Sequence, residues 1–265
     1  MKNEQREGSD MSANYHTHTP RCNHAVGSER EYVQKALEAG LKILGFSDHT
    51  PYLFPGDYYS TFRMHPQELP GYVAAVESLK KEFAGSLEIH TGLEAEFYPA
   101  YFPKTLDFLR EAGVEYLLLG QHFIGNEPFG SYSGRETTDE SILEGYCRQV
   151  IAAMDTGAFT YIAHPDIIHF VGPRNIYRKW MGTLVREAKD HQIPLELNLL
   201  GLRENRNYPN SLFLELVAEE NLPMVLGYDA HQPDHLTNTV QLTQAEALLN
   251  PFGIRLLPTV ELKPI

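Results

Sequence analysis

Seven short apolar runs recur along the chain: NYHTH (14–18), KILGFSDH (42–49), LEIHTGLEAE (87–96), YLLLGQH (116–122), TYIAHPD (160–166), PLELNLLG (194–201) and PMVLGYDAH (223–231). Continuous apolar runs of this length are the pattern of strands buried on both faces, as in parallel sheets. Stretches of helical periodicity separate them, over 28–40, 66–84, 103–113, 138–157, 175–192, 210–222 and 242–250. The first opens on Ser28 with Glu31 three residues later, a capping box, and stops at Gly40. The third starts with Pro103 and stops at Gly113. Pro70 and Gly71 weaken the start of the second.

The layout also echoes itself. EAGLKILGFSDH (38–49) and EAGVEYLLLGQH (111–122) share a helix stop, an apolar run, a polar residue and a histidine, and DTGAFTYIAH (155–164) repeats this loosely. A repeated βα unit predicts an α/β fold with a parallel barrel or doubly wound sheet, whose functional side chains gather at the C-terminal ends of the strands. Six of the seven runs end on His, Asp or Glu, in agreement with that rule. No linker or composition break appears, so residues 12–265 are expected to form one domain behind a loose N-terminal tail, 1–11.

Composition narrows the function classes. The 265-residue chain is 42% apolar and 22% charged, with no apolar run long enough to span a membrane and no apolar segment of a secretory signal near its start. A formal net charge of -13 argues against a nucleic-acid polymer as partner. Two cysteines, Cys22 and Cys147, suggest neither a disulfide framework nor a thiolate-rich metal site, which fits a reducing, cytoplasmic location.

The candidate chemistry lies in the histidines. Residues two apart on a strand share a face, so His16 and His18 project together, as do Asp229 and His231. His49, Glu94, His122 and His164 end other strands, and His24 follows in the loop after the first. One buried histidine is ordinarily a packed core residue, but seven at one barrel mouth are hard to explain as packing. Seven imidazoles and two carboxylates can hold two or three ions of zinc, iron or manganese. Glu96 shares a face with Glu94 and is a reserve ligand; Asp48 and Asp166 are candidates for orienting histidines. His65, His90, His169 and His191 end no strand and read as structural or solvated.

Taken together, H-x-H near the N-terminus, SDH, GLE (92–94), GQH, AHPD and DAH resemble the PHP (polymerase and histidinol phosphatase) superfamily, particularly its stand-alone histidinol-phosphate phosphatases, in order from about residue 13 to 235. The resemblance implies a distorted (β/α)7 barrel with a trinuclear metal centre at the C-terminal ends of the strands. It would give one ion His16, His18, Glu94 and Asp229; a second Glu94, His122 and His164, with Glu94 bridging; and a third His24, His49 and His231. The expected activity is hydrolysis of a small phosphate monoester, L-histidinol phosphate first, as a step of histidine biosynthesis. Glu94, Asp229 and His231 would serve catalysis, and Asp229, His235 or a metal-bound water would protonate the leaving alcohol.

Charge supports a phosphate. Two carboxylates (about -2), three divalent ions (about +6) and one hydroxide leave about +3, a surplus that attracts a dianion. Arg203, Arg63, Arg135 and His235 are candidate substrate-binding residues, and the aromatic loop 51–64 a candidate lid. One departure concerns the substrate: the relatives tend to carry a basic residue shortly after the fifth-strand His-x-Asp, whereas here His169 follows, and no arginine comes before Arg174. A nucleotide phosphatase or phosphodiesterase, a binuclear amidohydrolase and a non-catalytic metal module are the rival readings.

Overall fold

The computed structural model describes residues 12–265, and the expected tail, 1–11, lies outside the described residues. In chain order the elements are β1 (Ala13–Asn14), α1 (Glu29–Glu38), β2 (Ile43–His49), α2 (Leu69–Glu82), β3 (Glu88–Ala95), α3 (Phe102–Ala112), β4 (Tyr116–Leu119), β5 (Phe123–Ile124) and β6 (Ser131–Tyr132). Then come α4 (Glu140–Met154), β7 (Phe159–Ile162), α5 (Arg174–Asp190), β8 (Leu195–Asn198), α6 (Leu199–Arg203), α7 (Ser211–Glu219), β9 (Met224–Gly227), α8 (Thr239–Leu249) and β10 (Leu256–Leu257). Eight strands form one sheet in the order β1-β2-β3-β4-β7-β8-β9-β10, paired in parallel throughout. The sheet curls until the segment after β1 meets the segment after β9: Thr17 bridges Ala230, and the His18 amide donates to the Ala230 carbonyl at 2.9 Å. The result is a distorted barrel with helices outside it.

The sequence signals work where the physics is local. Ser28 and Glu31 form the capping box at α1, and Gly113 stops α3 in the left-handed region at φ 87°. Pro70 sits in the first turn of α2, where its missing N–H costs nothing. Three expectations need correction. An eighth strand, β10, pairs with β9; two residues followed by Pro258 are too short to stand out. The run 194–201 is not all strand, because the Asn198 side chain accepts from the Gly201 amide and caps α6. At 14–18 only Ala13–Asn14 is ladder, and the tight approach to Ala230 replaces the rest.

Two apolar layers support the strands. One lies between sheet and helices. The other fills the barrel with Tyr15, Tyr116, Leu118, Tyr161, Ala163 and Val225. Tyr116 crosses the interior above two glycines: a Cβ on Gly45 would fall 2.1 Å from its hydroxyl oxygen, and one on Gly92 2.3 Å from its ring. Its hydroxyl shares one proton between the carbonyls of Tyr15 and Phe46, at 2.8 and 3.1 Å, tying the residue after β1 to β2 below the histidines. Val260 and Leu262, beyond β10, pack against this inner cluster.

Candidate metal centre

Glu94 stands at the C-terminal end of β3, 1% exposed, with its two oxygens facing different neighbours. Oε1 lies 2.8 Å from His164 Nε2 and 3.5 Å from His122 Nε2. Oε2 lies 3.6 Å from His16 Nε2, 3.5 Å from His18 Nε2 and 3.1 Å from His49 Nδ1. Asp229 Oδ1 joins the second group, 3.6 Å from His16 Nε2 and 3.2 Å from His18 Nε2. His231 stacks on His18 with ring centroids 4.1 Å apart, and the exposed ring of His24 lies 4.8 Å from His231 and 5.3 Å from His49. All nine expected side chains therefore converge.

This convergence is costly unless something else binds there. His16 Nε2, both ring nitrogens of His18, His49 Nδ1, His164 Nδ1, Glu94 Oε2 and Asp229 Oδ1 are buried without a hydrogen-bond partner. Each such atom costs about 1–3 kcal/mol. A cation supplies the missing partner, and groups such as His16–His18–Glu94, His16–His164–Asp229 and His18–His49–His231 have ligand atoms close enough to share one. Nitrogen and oxygen donors of this kind fit divalent zinc, manganese or iron.

Local structure aims these groups. His164 and Asp229 have φ of 30° and 46°, a left-handed backbone rare for non-glycine residues and a local strain held by the surroundings. Glu196 Oε2 accepts the His164 amide, and Asn198 holds Asp229 Oδ2, which turns Oδ1 toward the histidines. Glu196 Oε1 takes His16 Nδ1 at 2.8 Å, leaving Nε2 to face the cluster. A glycine opposite makes room for each glutamate: a Cβ on Gly120 would lie 1.9 Å from Glu94 Oε1, and one on Gly227 1.7 Å from Glu196 Oε1.

Protonation follows the same division. Burial opposes the charge on His16 and His18, but Asp229, with Glu196 and Glu94 at His16 and Asp48 at His18, outweighs it and holds both rings well above the usual histidine value. Burial also opposes the charge on Glu94, yet His122, His16 and His49 keep that carboxyl well below the carboxylate range. His24, His49 and His231 are pushed down, first by burial and then by neighbouring rings, so they stay neutral, whereas His16 and His18 would have to release a proton to bind a cation.

The second tier of expectations divides. Arg203 and His235 line the cavity above Glu94, which has a volume of about 570 Å³. His235 takes the His231 amide on Nδ1 and is lowered to about 4 by burial and by Arg203, so it is neutral near pH 7 and a poor proton donor. Arg135 is exposed and lies outside the cavity lining. Arg63 is buried, with its guanidinium on Glu96, Glu127 and the Thr50 carbonyl; those pairings, in place of an anion, correct the expectation for it. Glu96 likewise is no reserve ligand: it pairs with Arg63 and accepts His122 Nδ1 at 3.0 Å. Asp48 faces His18 Nδ1 at 3.5 Å, whereas Asp166 accepts the Asn210 amide and orients no histidine. Of the loop 51–64, Thr61 and Phe62 reach the cavity.

Sequence reading missed Glu196, Asn198, Glu204, Arg206 and Tyr208. Glu196 and Asn198 stand two apart on β8, the same spacing that exposed His16 and His18. Glu204, Arg206 and Tyr208 line the cavity from the turn after α6, which the run 194–201 concealed.

A model of the PHP domain matches residues 14–199, which hold seven of the nine convergent side chains and end before Asp229 and His231. A probable histidinol-phosphatase of Deinococcus radiodurans is 34% identical over 227 residues, 82% of this chain and 85% of that protein. The histidinol-phosphatase of Bacillus subtilis is 24% identical over 251 residues, 82% of this chain and 92% of that protein. A crystal structure of histidinol phosphate phosphatase from Lactococcus lactis, complexed with zinc, L-histidinol and phosphate, has a TM-score of 0.72. At 19% identity it covers 95% of this chain and 99% of that one, a likeness of fold.

Proposed function

The chain belongs to the PHP domain family, and on that premise we propose that it is a metal-dependent phosphoesterase converting L-histidinol phosphate to L-histidinol and phosphate. The observation that carries this reading is the set of buried, unpartnered ligand atoms around Glu94, at the floor of a cavity that also holds two arginines. The relatives from Deinococcus radiodurans and Bacillus subtilis, matched over 85% and 92% of their length, are a probable histidinol-phosphatase and a histidinol-phosphatase, which supports the substrate.

Three divalent ions, of zinc, manganese or iron, fit the nine side chains. His16, His18, Glu94 and Asp229 would hold one, Glu94, His122 and His164 the second, and His24, His49 and His231 the third. Bound there, such ions activate water for attack on phosphorus and neutralise charge developing on the phosphate oxygens. The chain's own residues do the rest. Glu94 spans two groups with one oxygen each. Arg203 gives the cavity donors for a phosphate while also bonding the Asp229 carbonyl at 3.3 Å, whereas Arg206 is paired with Glu204 and the Tyr208 hydroxyl. Phe62 and Phe123, stacked at 5.9 Å, offer a flat apolar wall to an imidazole ring. Among the described residues Glu204 is the one cavity-lining carboxylate outside the ligand set, and because it already accepts from Arg206 Nε at 2.8 Å, an ammonium group of the substrate would join that ion pair. His235 is neutral near pH 7, and Asp229, although burial opposes its charge, is held ionised well below the carboxylate range by His16, His18 and His231, so water is left to supply the proton to the leaving alcohol.

The setting is proposed as one domain, 12–265, in a reducing cytoplasm. Both cysteines are free and buried, and among the described residues no helix is long and apolar enough to cross a membrane. The test is a panel offered to metal-loaded protein: L-histidinol phosphate, 4-nitrophenyl phosphate, nucleoside monophosphates, a phosphodiester and an amide. L-Histidinol phosphate is expected to have the highest kcat/KM. A nucleotide or diester that exceeds it rejects the substrate, and absence of phosphate release from every ester rejects the reaction.

A further inference from the structure

Arg63 is the largest fully buried side chain of the described residues, 1% exposed, on the loop after β2. Burying a guanidinium is costly unless its charge and donors are matched. Here Nη1 donates to the Thr50 carbonyl at 2.8 Å and to Glu96 Oε2 at 3.2 Å. Nη2 donates to Glu96 Oε1 at 3.0 Å and to Glu127 Oε2. The guanidinium carbon lies 4.4 Å from the ring centroid of Phe62 and 5.4 Å from that of Tyr52.

The partners give this cluster its direction. Glu96 Oε1 also accepts from His122 Nδ1 at 3.0 Å and so leaves His122 Nε2 facing Glu94 Oε1. Burial opposes the Glu96 charge, and Arg63 and His122 together lower its pKa, so it is an ionised acceptor. Glu127 belongs to the loop of the β5–β6 hairpin, whose Phe123 and Tyr132 line the cavity, while Arg63 is adjacent to Phe62, which lines it from the other side of the stacked pair. Two carboxylates on one guanidinium leave a net negative charge behind a histidine aimed at the metal centre. That charge strengthens the ring as a ligand.

We propose that Arg63 is a positioning residue: through Glu96 it fixes His122 as a metal ligand, and through Glu127 it clamps the hairpin to the loop after β2. The proposal rests on the metal reading of the centre and on no particular substrate. It also explains why an arginine stands where a lysine would carry the same charge, because only a planar fork meets both carboxylates and a carbonyl at once.

The test is competition for zinc between fully loaded protein and a chromogenic chelator, for wild type, Arg63→Lys and Glu96→Gln, with the melting temperature of each metal-free protein beside it. Both variants are expected to release one ion per chain at about 10- to 100-fold weaker affinity, with the other ions held as in wild type. Glu127→Gln, which leaves Arg63 on Glu96, is expected to keep zinc affinity within about threefold and to raise KM for the phosphate ester that wild-type protein hydrolyses fastest more than it lowers kcat. If Arg63→Lys does not fold, Glu96→Gln decides the first half and Glu127→Gln the second. Wild-type affinity for every ion in the folded variants, with only a lower melting temperature, would overturn the proposal. Wild-type protein that takes up no zinc would overturn the metal reading instead.

Discussion

One strand face of β3 carries a histidine at its foot and a glutamate at its mouth, His90 and Glu94, four residues apart on alternating positions. Their surroundings are of similar residue types and opposite condition. At the foot, His90 Nε2 meets Glu88 at 2.9 Å and Nδ1 meets Glu115 at 3.2 Å, while Glu115 also takes Lys80 and the Thr91 amide. His90 is 19% exposed and Glu115 32%, so water reaches what the protein leaves open. At the mouth, His16 and Glu94 are 0% and 1% exposed, and His16 Nε2 and Glu94 Oε2 have no partner. Histidines beside glutamates do not by themselves mark a metal site. Burial with partners withheld does, because a fold keeps such a cost only where something else satisfies it.

The comparison breaks most visibly under paired substitutions. Glu94→Gln is expected to fold and to lose hydrolysis by several orders of magnitude, on the order of 10³ or more, because both ligand groups lose their shared charge. Glu115→Gln at the foot is expected to leave kcat within about twofold, because nothing it touches reaches the cavity. Near-native turnover of Glu94→Gln in a phosphate-release assay would remove Glu94 as the bridge.

His24 sharpens the count within the mouth. His24→Ala is expected to lose about one ion per chain and most turnover while His16, His18 and Glu94 remain loaded, since those ligands do not depend on the His24 loop. Because His24 is exposed, metal-free stability should change by about half a kcal/mol or less. Unchanged metal content by plasma mass spectrometry and unchanged kinetics would make the site binuclear.

The foot supplies the smallest effect, an acid limb of stability. Burial raises the Glu115 carboxyl, but His90, Lys80 and the Thr91 amide lower it to about 2. A depressed carboxyl stabilises the fold above its unfolded value and loses that contribution as pH falls through the folded one, here between about 4.5 and about 2. Glu115→Gln should therefore flatten urea midpoints across that window. A variant with an acid limb as steep as wild type would show that the foot cluster is electrostatically idle.

What the sequence made legible follows from where each residue stands. Most of the nine candidate ligands could be read because strand ends interrupt apolar runs, so His49, Glu94 and His164 break the pattern that contains them. Glu196 could not, because it lies inside an apolar run that reads as a buried strand, and its role depends on His16 arriving from β1, 180 residues away in sequence. Arg63 was misplaced as a substrate-binding residue because an arginine in a loop beyond a strand end reads as free to meet an anion, and only tertiary packing decides that Tyr52, Phe62 and two glutamates enclose it. The parallel sheet was visible in the repeating βα layout, whereas β10 and α6, two and five residues long, carry too few positions for any period.

The central claim is that the unpartnered atoms of the mouth exist to hold metal. Metal content per chain, measured by plasma mass spectrometry after purification without chelator and supplementation with zinc or manganese, tests it most directly. The account predicts about three ions per chain in wild type, the same number in Glu115→Gln and about one fewer in His24→Ala. A wild-type stoichiometry at or below one would contradict it.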